Sequence, residues 1–141
     1  MVELVAVTRP LPDAPGFQFR NRWVDYALYT PGRYTTYSAM QSGQEVARLE
    51  IDWKSGLYEG MDPVDGPLLE IEFLDVQEEW RRRGIGTLTV HEVARTHPGH
   101  RLMARSEDAD DFWGSFGWAR HDHADGPRWY RPIYLAPEGW R

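Results

Sequence analysis

Cysteine is absent from the 141-residue sequence, and lysine occurs only once, as Lys54. Without cysteine the chain has no disulfide framework, no thiolate nucleophile and no cysteine-ligated metal site. No apolar run approaches the roughly 20 residues of a membrane-spanning helix. The segment Met1–Pro15 also lacks the long apolar core and basic flank of a signal peptide. We therefore expect a soluble, cytoplasmic protein with no membrane association.

Positive charge is scarce, because 16 Lys and Arg residues stand against 22 Asp and Glu residues and give a formal net charge of −6 at pH 7. Nucleic-acid binding usually needs an excess of cations, so we expect no nucleic-acid partner. The acid excess suits a cationic partner or serves solubility alone. With 41% hydrophobic and 27% charged residues, the composition is that of a single globular domain spanning residues 1–141.

Hydrophobic alternation predicts a run of strands, then helix, strand, helix and two strands, which indicates an α/β or α+β domain. Glu70 and Glu72 should share one face of the fourth strand, and Ile71 and Phe73 the other. Pro132 should make the last strand an edge strand or an interrupted one. The predicted strands are Val2–Val7, Tyr34–Met40, Val46–Trp53, Leu68–Val76, Arg101–Arg105, Trp118–His121 and Trp129–Leu135; the helices run from after Gly86 to Pro98 and from Ser106 to Gly114, and Arg22–Tyr29 fits either a helix or a strand.

Three arginines, Arg81 to Arg83, run directly into Gly84-Ile85-Gly86, where a helix begins. The two glycines let the backbone turn tightly and let a ligand approach without a Cβ in the way. The first N–H groups of a helix lack intrahelical acceptors and favour an anion, whereas arginines at that end oppose the helix dipole. A bound phosphate explains both features. The alternative is a tight strand-to-helix turn with solvated arginines.

These residues resemble the signatures of the GNAT superfamily of acyl-CoA-dependent N-acyltransferases. The signature Q/R-x-x-G-x-G/A is met by Arg81–Gly86, after a strand that ends at Val76. A second signature, N-x-x-A-x-x-F-Y-x-x-x-G-F, has a close relative about 20 residues further on, and the combination is more specific than either motif alone. Its positions are occupied by Ser106, Ala109, Phe112, Trp113, Gly117 and Trp118. The resemblance is strongest over residues 68–134.

The resemblance implies a GNAT-like mixed, twisted sheet of about six or seven strands flanked by helices. The sheet would splay open between the strands Leu68–Val76 and Arg101–Arg105, and the pantetheine arm of acetyl-CoA, the implied cosubstrate, would lie in that gap. Splayed strands leave backbone donors and acceptors that pantetheine amides can satisfy. The implied coenzyme-binding residues are Leu74, Asp75, Val76, Arg81, Arg82, Arg83, Gly84, Ile85, Gly86, Thr87, Ser106, Phe112 and Trp113.

The implied activity is transfer of an acetyl group to a primary amine of a small molecule or peptide. An alkylamine has a pKa near 10.4 and must lose a proton before it attacks, so a general base is expected. Glu70 is the first candidate for this base and Glu72 the second. The alternative for both is an ordinary solvated carboxylate on a strand. In this fold the backbone N–H near Leu74 would stabilise the oxyanion.

One position departs from the family pattern. The tyrosine that usually protonates the leaving thiolate is replaced by Trp113, whose indole N–H is not a practical acid. Ser115, Tyr130 or Tyr134 could substitute, and we carry Tyr130 forward as a catalytic candidate. Alternatively, the chain is a catalytically weak or inactive GNAT-like domain that binds acyl-CoA or a protein partner.

Two further expectations concern metals and assembly. His121 and His123 would share a strand face, but no third ligand is identifiable, so we expect no metal site. Family members often dimerise, so a homodimer is a further expectation.

Overall fold

The computed structural model describes residues 1–25 and 31–141. The described residues form one mixed seven-stranded sheet in the order β1-β2-β3-β4-β5-β7-β6. The strands are β1 (Glu3–Val7), β2 (Tyr34–Gln41), β3 (Gln44–Asp52), β4 (Leu68–Val76), β5 (Arg101–Arg105), β6 (Ala119–His121) and β7 (Ile133–Leu135), and the helices are α1 (Arg20–Val24), α2 (Ile85–Thr96) and α3 (Asp110–Gly114). Of the ambiguous segment Arg22–Tyr29, the first part belongs to α1, and Tyr26–Tyr29 lies outside the described residues.

The first four strands form an antiparallel meander, with β1 paired to β2, β2 to β3 and β3 to β4. Ser42 and Gly43 join β2 to β3 and both have positive φ, at 51° and 78°. Two consecutive left-handed residues make the tight turn whose twist matches that of the flanking strands. This meander carries the long central strand β4, which forms one wall of the site described below.

The sheet opens between β4 and β5. These two parallel strands pair only at Leu68 with Arg101, Leu69 with Leu102 and Glu70 with Met103. Beyond Glu70, β4 stays paired to β3 alone, while the end of β5 pairs with β7. The predicted splay between these strands is therefore confirmed, and it begins immediately after Glu70.

A β-bulge interrupts β4 at the same place. Glu50 on β3 pairs with Phe73 and Ile51 pairs with Ile71, so Glu72 is an extra residue with no direct partner on β3. An extra residue reverses the alternation of the side chains that follow it. Ile71 accordingly packs in the core beneath α2, whereas Phe73 packs against the α1 cluster on the other face. The prediction that these two residues share a face is wrong for this reason.

The main core lies between the sheet and α2. Val90, Val93 and Ala94 of α2 are fully or almost fully buried against β3, β4 and β5. A smaller cluster covers the opposite face, where Leu11, Phe17 and Trp23 pack together. The two clusters fix α2 and α1 on opposite faces of β4. Within the described chain, no helix has both the length and the apolar character needed to cross a membrane.

Two predicted boundaries need correction. The last strand begins at Ile133, so Pro132 cuts short the predicted strand Trp129–Leu135, as one of the two alternatives expected. The other alternative, an edge strand, is wrong, because β7 lies inside the sheet between β5 and β6. Proline has no N–H for a ladder, so the strand starts only after it. Helix α3 begins at Asp110, because Asp108 has a left-handed φ of 54° that a helix cannot include. Ser106 lies before this turn, where its Oγ accepts the Ala109 N–H at 3.2 Å.

Candidate active site

The opening between β4 and β5 is a cleft of about 380 Å³. Its long wall is β4 from Ile71 to Leu74 together with Val76, and Gly86 of α2 and Phe112 of α3 close one end. Charged side chains gather in the same cleft, namely Glu72, Arg105, Glu107, Asp108 and Arg131. The splay of the sheet therefore produces a cavity with an apolar helix-facing end and a charged end.

Helix α2 begins beside the cleft with an open amino terminus. Gly84 is its N-cap and has a left-handed φ of 76°. The Leu88 N–H donates to the Gly84 carbonyl at 3.0 Å, so the preceding amides of Ile85, Gly86 and Thr87 are the helix donors without intrahelical acceptors. A Cβ added at Gly84 would meet no atom within 4 Å. The backbone at the start of α2 is therefore open to the surroundings at Gly84, and the anion site stays a prediction.

Gly86 has a different reason for its missing side chain. A Cβ at this position would lie 3.1 Å from Cε1 and 3.2 Å from Cζ of Phe112. The space that the sequence assigns to an approaching ligand is therefore filled by the Phe112 ring. Gly86 and Phe112 still line the cleft together, so their contact shapes its helix-facing end.

The three arginines differ in their contacts. Arg81 donates from Nε to the Val76 carbonyl at 2.9 Å and from Nη2 to the Gly16 carbonyl at 3.2 Å, so it ties the end of β4 to the segment before α1. Arg83 lies over the Trp80 ring at 5.3 Å, and Arg82 has a left-handed φ of 63°. Arg82 and Arg83 are exposed near the α2 amino terminus, where they add positive charge.

Asp75 faces away from the cleft. Its buried carboxylate accepts the backbone N–H groups of Gln18 at 2.9 Å and Phe19 at 2.8 Å, and the indole N–H of Trp23 at 2.9 Å. Gln18 and Phe19 both line the cleft. The side chain of Asp75 therefore holds one wall of the cleft in place from behind, whereas Leu74 and Val76, its neighbours on β4, line the cleft directly.

The residues of the second signature lie around α3. Trp113 lines the cleft but is only 6% exposed, and its ring stacks on Trp118 at 5.5 Å. Ser106 is buried and serves as the cap described above. The Ser115 hydroxyl donates to the Phe112 carbonyl at 2.5 Å, and Tyr134 is a core residue.

Tyr130 lies outside the cleft. It is 44% exposed and stacks on His123 at 3.7 Å. None of the three hydroxyl groups considered as a substitute acid, on Ser115, Tyr130 and Tyr134, belongs to a residue that lines the cleft.

The two candidate bases have unlike surroundings. Glu70 is 1% exposed, accepts hydrogen bonds from Arg105 and from the Ser55 hydroxyl, and does not line the cleft. Glu72 is half-buried and lines the cleft. Burial, followed by the hydrogen bond and charge of Glu70, raises the pKa of Glu72 to about 8. A carboxyl with this pKa in a cleft suits proton transfer near neutral pH.

Glu70 and Glu72 belong to a cluster of three carboxylates. One oxygen each from Asp52, Glu70 and Glu72 lies within 4.8 Å of the others. Carboxylates in this arrangement are the ligands of a hard divalent cation. However, Arg33 holds Asp52 through two hydrogen bonds of 3.1 and 3.0 Å, and Arg105 holds Glu70. Arginines already balance the charge of Asp52 and Glu70, so a single proton on Glu72 balances the third carboxylate. The cluster therefore fits a protonated Glu72 better than a bound metal ion.

Sequence reasoning missed the residues that connect distant parts of the chain. Arg105 and Arg131 line the charged end of the cleft, and Asp52 completes the carboxylate cluster. Arg105 is the last residue of a predicted strand and Asp52 lies near the end of another, but no local pattern indicates that their side chains meet Glu70. One feature of the sequence could have indicated Arg105. It ends the strand that the resemblance places across the splay from Glu70 and Glu72, so a cation there would face two carboxylates.

Comparison with known proteins gives relatives in fold but not in sequence. No model of a known protein family matches the sequence, and no curated protein matches it. AtaT complexed with acetyl-methionyl-tRNAfMet superposes with a TM-score of 0.64 at 14% identity, covering 97% of this chain and 95% of that one. A GNAT family acetyltransferase from Elizabethkingia anophelis, with acetyl-CoA bound, gives 0.60 at 14% identity and 95% coverage of each chain.

A third solved structure agrees. An acetyltransferase from Thermus thermophilus gives a TM-score of 0.57 at 17% identity, covering 79% of this chain and 68% of that one. These likenesses confirm, at the level of the fold, the resemblance that the two signatures indicate. The mixed sheet of this chain superposes on those of solved GNAT acetyltransferase structures, and the protein has the GNAT fold.

Proposed function

We propose that the protein transfers an acetyl group from acetyl-CoA to a primary amine of a small molecule or peptide. The observation that carries this proposal is the cleft between β4 and β5, which has the α2 amino terminus at one end and Glu72 on its wall. A groove with unpaired strand edges, an anion-binding helix end and a carboxyl of raised pKa combines what acyl transfer from a thioester requires.

The coenzyme would be held by backbone and by charge. Pantetheine amides would pair with β4 near Leu74 and Val76, where β5 no longer supplies partners. The diphosphate would accept from the free amides at the start of α2, with Arg82 and Arg83 supplying charge beside it. Acetyl-CoA delivers an acyl group activated as a thioester, and the chain's own groups then act on the amine and on the carbonyl.

The catalytic roles follow from position. Glu72 would accept the proton of the acceptor amine, because it is the candidate base that lines the cleft. The backbone N–H near Leu74 would stabilise the negative charge that develops on the attacked carbonyl oxygen. The thiolate would leave without protonation by a tyrosine, since Trp113 occupies that position. Glu70 and Tyr130 contribute less directly, because neither lines the cleft.

A second function is favoured by one observation. Trp113 replaces the family's tyrosine, and Ser115, Tyr130 and Tyr134 do not line the cleft. If no side chain protonates the leaving coenzyme A thiolate, acetyl transfer would be slow or absent. The protein would then be a weak or inactive domain that binds acyl-CoA or a protein partner. The nucleic-acid ligand of AtaT belongs to that protein; for this chain, with its formal net charge of −6, we propose a small amine or peptide acceptor.

The test measures thiol release from acetyl-CoA with a panel of primary amines. Wild type should release coenzyme A only when an amine is present, and Glu72→Gln should lower kcat by about 10²- to 10⁴-fold, the usual contribution of a general base. The control is Glu92→Gln on α2, which removes an ion pair to the exposed Arg95 away from the cleft and should leave the rate unchanged. Thermal protection by coenzyme A without thiol release from any amine would favour the binding domain instead.

A further inference from the structure

Glu70 and Glu72 are adjacent carboxyl groups on opposite sides of the point where the sheet opens. Glu70 is the last residue of β4 that faces β5, and it also pairs with Asp52 of β3, so strands cover it on both sides. Glu72 follows in the bulge, where β5 has left the strand, and therefore lines the cleft. The fold thus places a covered carboxylate directly behind an accessible one.

The covered carboxylate is fixed by Arg105. One guanidinium nitrogen of Arg105 donates to Oε1 of Glu70 and to the Ser55 hydroxyl, the latter at 2.7 Å. The other nitrogen donates to the Gly56 carbonyl at 2.6 Å, and the guanidinium lies 5.1 Å from the Tyr58 ring centroid. Arginine keeps its charge at all relevant pH values, so the Glu70 carboxylate has a permanent cationic partner.

The second oxygen of Glu70 has no donor among the described residues. Oε2 is buried without a hydrogen-bond partner, and one oxygen of the Glu70 carboxylate belongs to the cluster whose oxygens lie within 4.8 Å of one another. A buried carboxylate oxygen without a donor is costly, and a protonated carboxyl group beside it supplies the missing hydrogen bond. Glu72 is the neighbour that reaches both Glu70 and the cleft.

We propose that the buried Glu70–Arg105 ion pair is a positioning device that holds a proton on Glu72 until the acceptor amine binds. This inference rests on the proposed function, because it assigns Glu72 the role of base. Glu70 does not touch the substrate and acts only through Glu72. In the free protein the protonated Glu72 carboxyl donates a hydrogen bond to the Glu70 carboxylate. When the amine binds, the Glu72 proton passes to solvent water, and the Glu72 carboxylate that remains accepts a proton from the amine.

The remaining charged groups around Glu72 are consistent with this arrangement. Asp52 on β3 adds negative charge and favours the protonated form, although Arg33 holds that carboxylate. Arg131, before β7, favours the ionised form, but it is shared with Glu107 at 3.6 Å. Burial is the largest cause of the raised pKa of Glu72, and Glu70 is the next.

The test is a pH titration of the Glu72 side-chain carboxyl by ¹³C NMR in the protein without ligands. In wild type the midpoint should lie near pH 8. In Glu70→Gln it should fall to about pH 6, because a like charge is removed and Arg105 becomes available to favour ionised Glu72. In Arg105→Gln it should rise above the wild-type value, because two carboxylates then share one site without their cation.

The opposite signs of these two shifts separate the proposal from a structural role, since loss of packing alone would move both variants in the same direction. Glu92→Gln is the control and should titrate as wild type. A wild-type midpoint near the ordinary glutamate value, or equal shifts in both variants, would overturn the proposal. Even if a variant fails to fold, a wild-type midpoint near the ordinary glutamate value would overturn the proposal.

The titration needs no activity, so its outcome is independent of the proposed function. If the enzyme is active, the acidic limb of the pH profile of kcat/KM should move with the NMR midpoint in each variant. If the NMR midpoints shift as expected but no amine is acetylated, the carboxyl pair exists and the proposed function is wrong.

Discussion

The carboxylate of Asp75 should be a major source of stability, because it joins β4 to α1 across 52 to 57 positions of sequence. Asp75→Asn is the sharpest perturbation. In wild type Oδ1 accepts from Gln18, and Oδ2 accepts from both Phe19 and Trp23, at distances of 2.8 to 2.9 Å. Asparagine offers one oxygen and one NH₂ group, so its NH₂ group must face at least one of these donors.

The magnitude follows from the bonds that are lost. If the amide oxygen takes the Oδ2 position, the bonds from Phe19 and Trp23 remain but become neutral, and the Gln18 N–H meets another donor. Hydrogen bonds to a charged group contribute about 1.5 to 3 kcal/mol each, and a donor left unsatisfied costs about 1 to 3 kcal/mol more. Gln18 is exposed, so water relieves part of that cost. We therefore expect a loss of about 3 kcal/mol.

Urea unfolding followed by circular dichroism at pH 7 measures this loss. The matched control is Asp13→Asn, which removes an exposed ion pair to Arg20, the first residue of α1, and should leave the unfolding free energy close to that of wild type. The slope of free energy against urea should be the same for all three proteins. A loss below about 1 kcal/mol for Asp75→Asn would refute the claim that this carboxylate anchors α1.

Three further predictions concern other parts of the chain. Because the folded pKa of Glu72 is raised from 4.5 to about 8, its contribution to stability is complete below pH 4.5 and lost as the pH rises through 8. Urea midpoints should therefore fall with pH in wild type more than in Glu72→Gln. Glu50→Gln removes the buried carboxylate that pairs with Arg9 and Arg22 and should lower the unfolding free energy in urea by about 3 to 5 kcal/mol. Gly86→Ala should weaken acetyl-CoA binding several-fold in calorimetry, because the added Cβ lies 3.1 Å from the Phe112 ring and displaces it. In urea unfolding the same variant should differ little from wild type, because a gain of about 1 kcal/mol in helix propensity offsets the crowding.

The sequence predicts well those features that depend on residues close together in the chain. Period-two alternation locates β4 at Leu68–Val76 to the residue, and the glycine after three arginines locates the start of α2 within two residues. The splay between β4 and β5 follows from the resemblance that the two signatures carry. For the strand and the helix start, the residues that decide the structure lie within about ten positions of one another.

The features that the sequence does not predict depend on strand pairing and long-range contacts. The bulge at Glu72 arises from the register between two strands: Glu50 pairs with Phe73 and Ile51 pairs with Ile71, which leaves Glu72 unpaired. The sequence of either strand alone does not show this register. That one residue moves Phe73 to the opposite face and leaves Glu72 in the cleft. Arg105 donates to Glu70 from 35 positions further along the chain. This contact keeps Glu70, the first candidate base, buried away from the cleft.

Calorimetric titration with acetyl-CoA tests most directly whether the cleft between β4 and β5 binds a coenzyme A thioester. Wild type should bind one molecule per chain with a Kd between about 1 µM and 1 mM, the range in which enzymes usually hold their substrates. A variant with Arg82→Glu and Arg83→Glu reverses two exposed charges at the α2 amino terminus and should bind at least about tenfold more weakly. No heat and no thermal protection with wild type, or equal affinity in the double variant, would contradict the account.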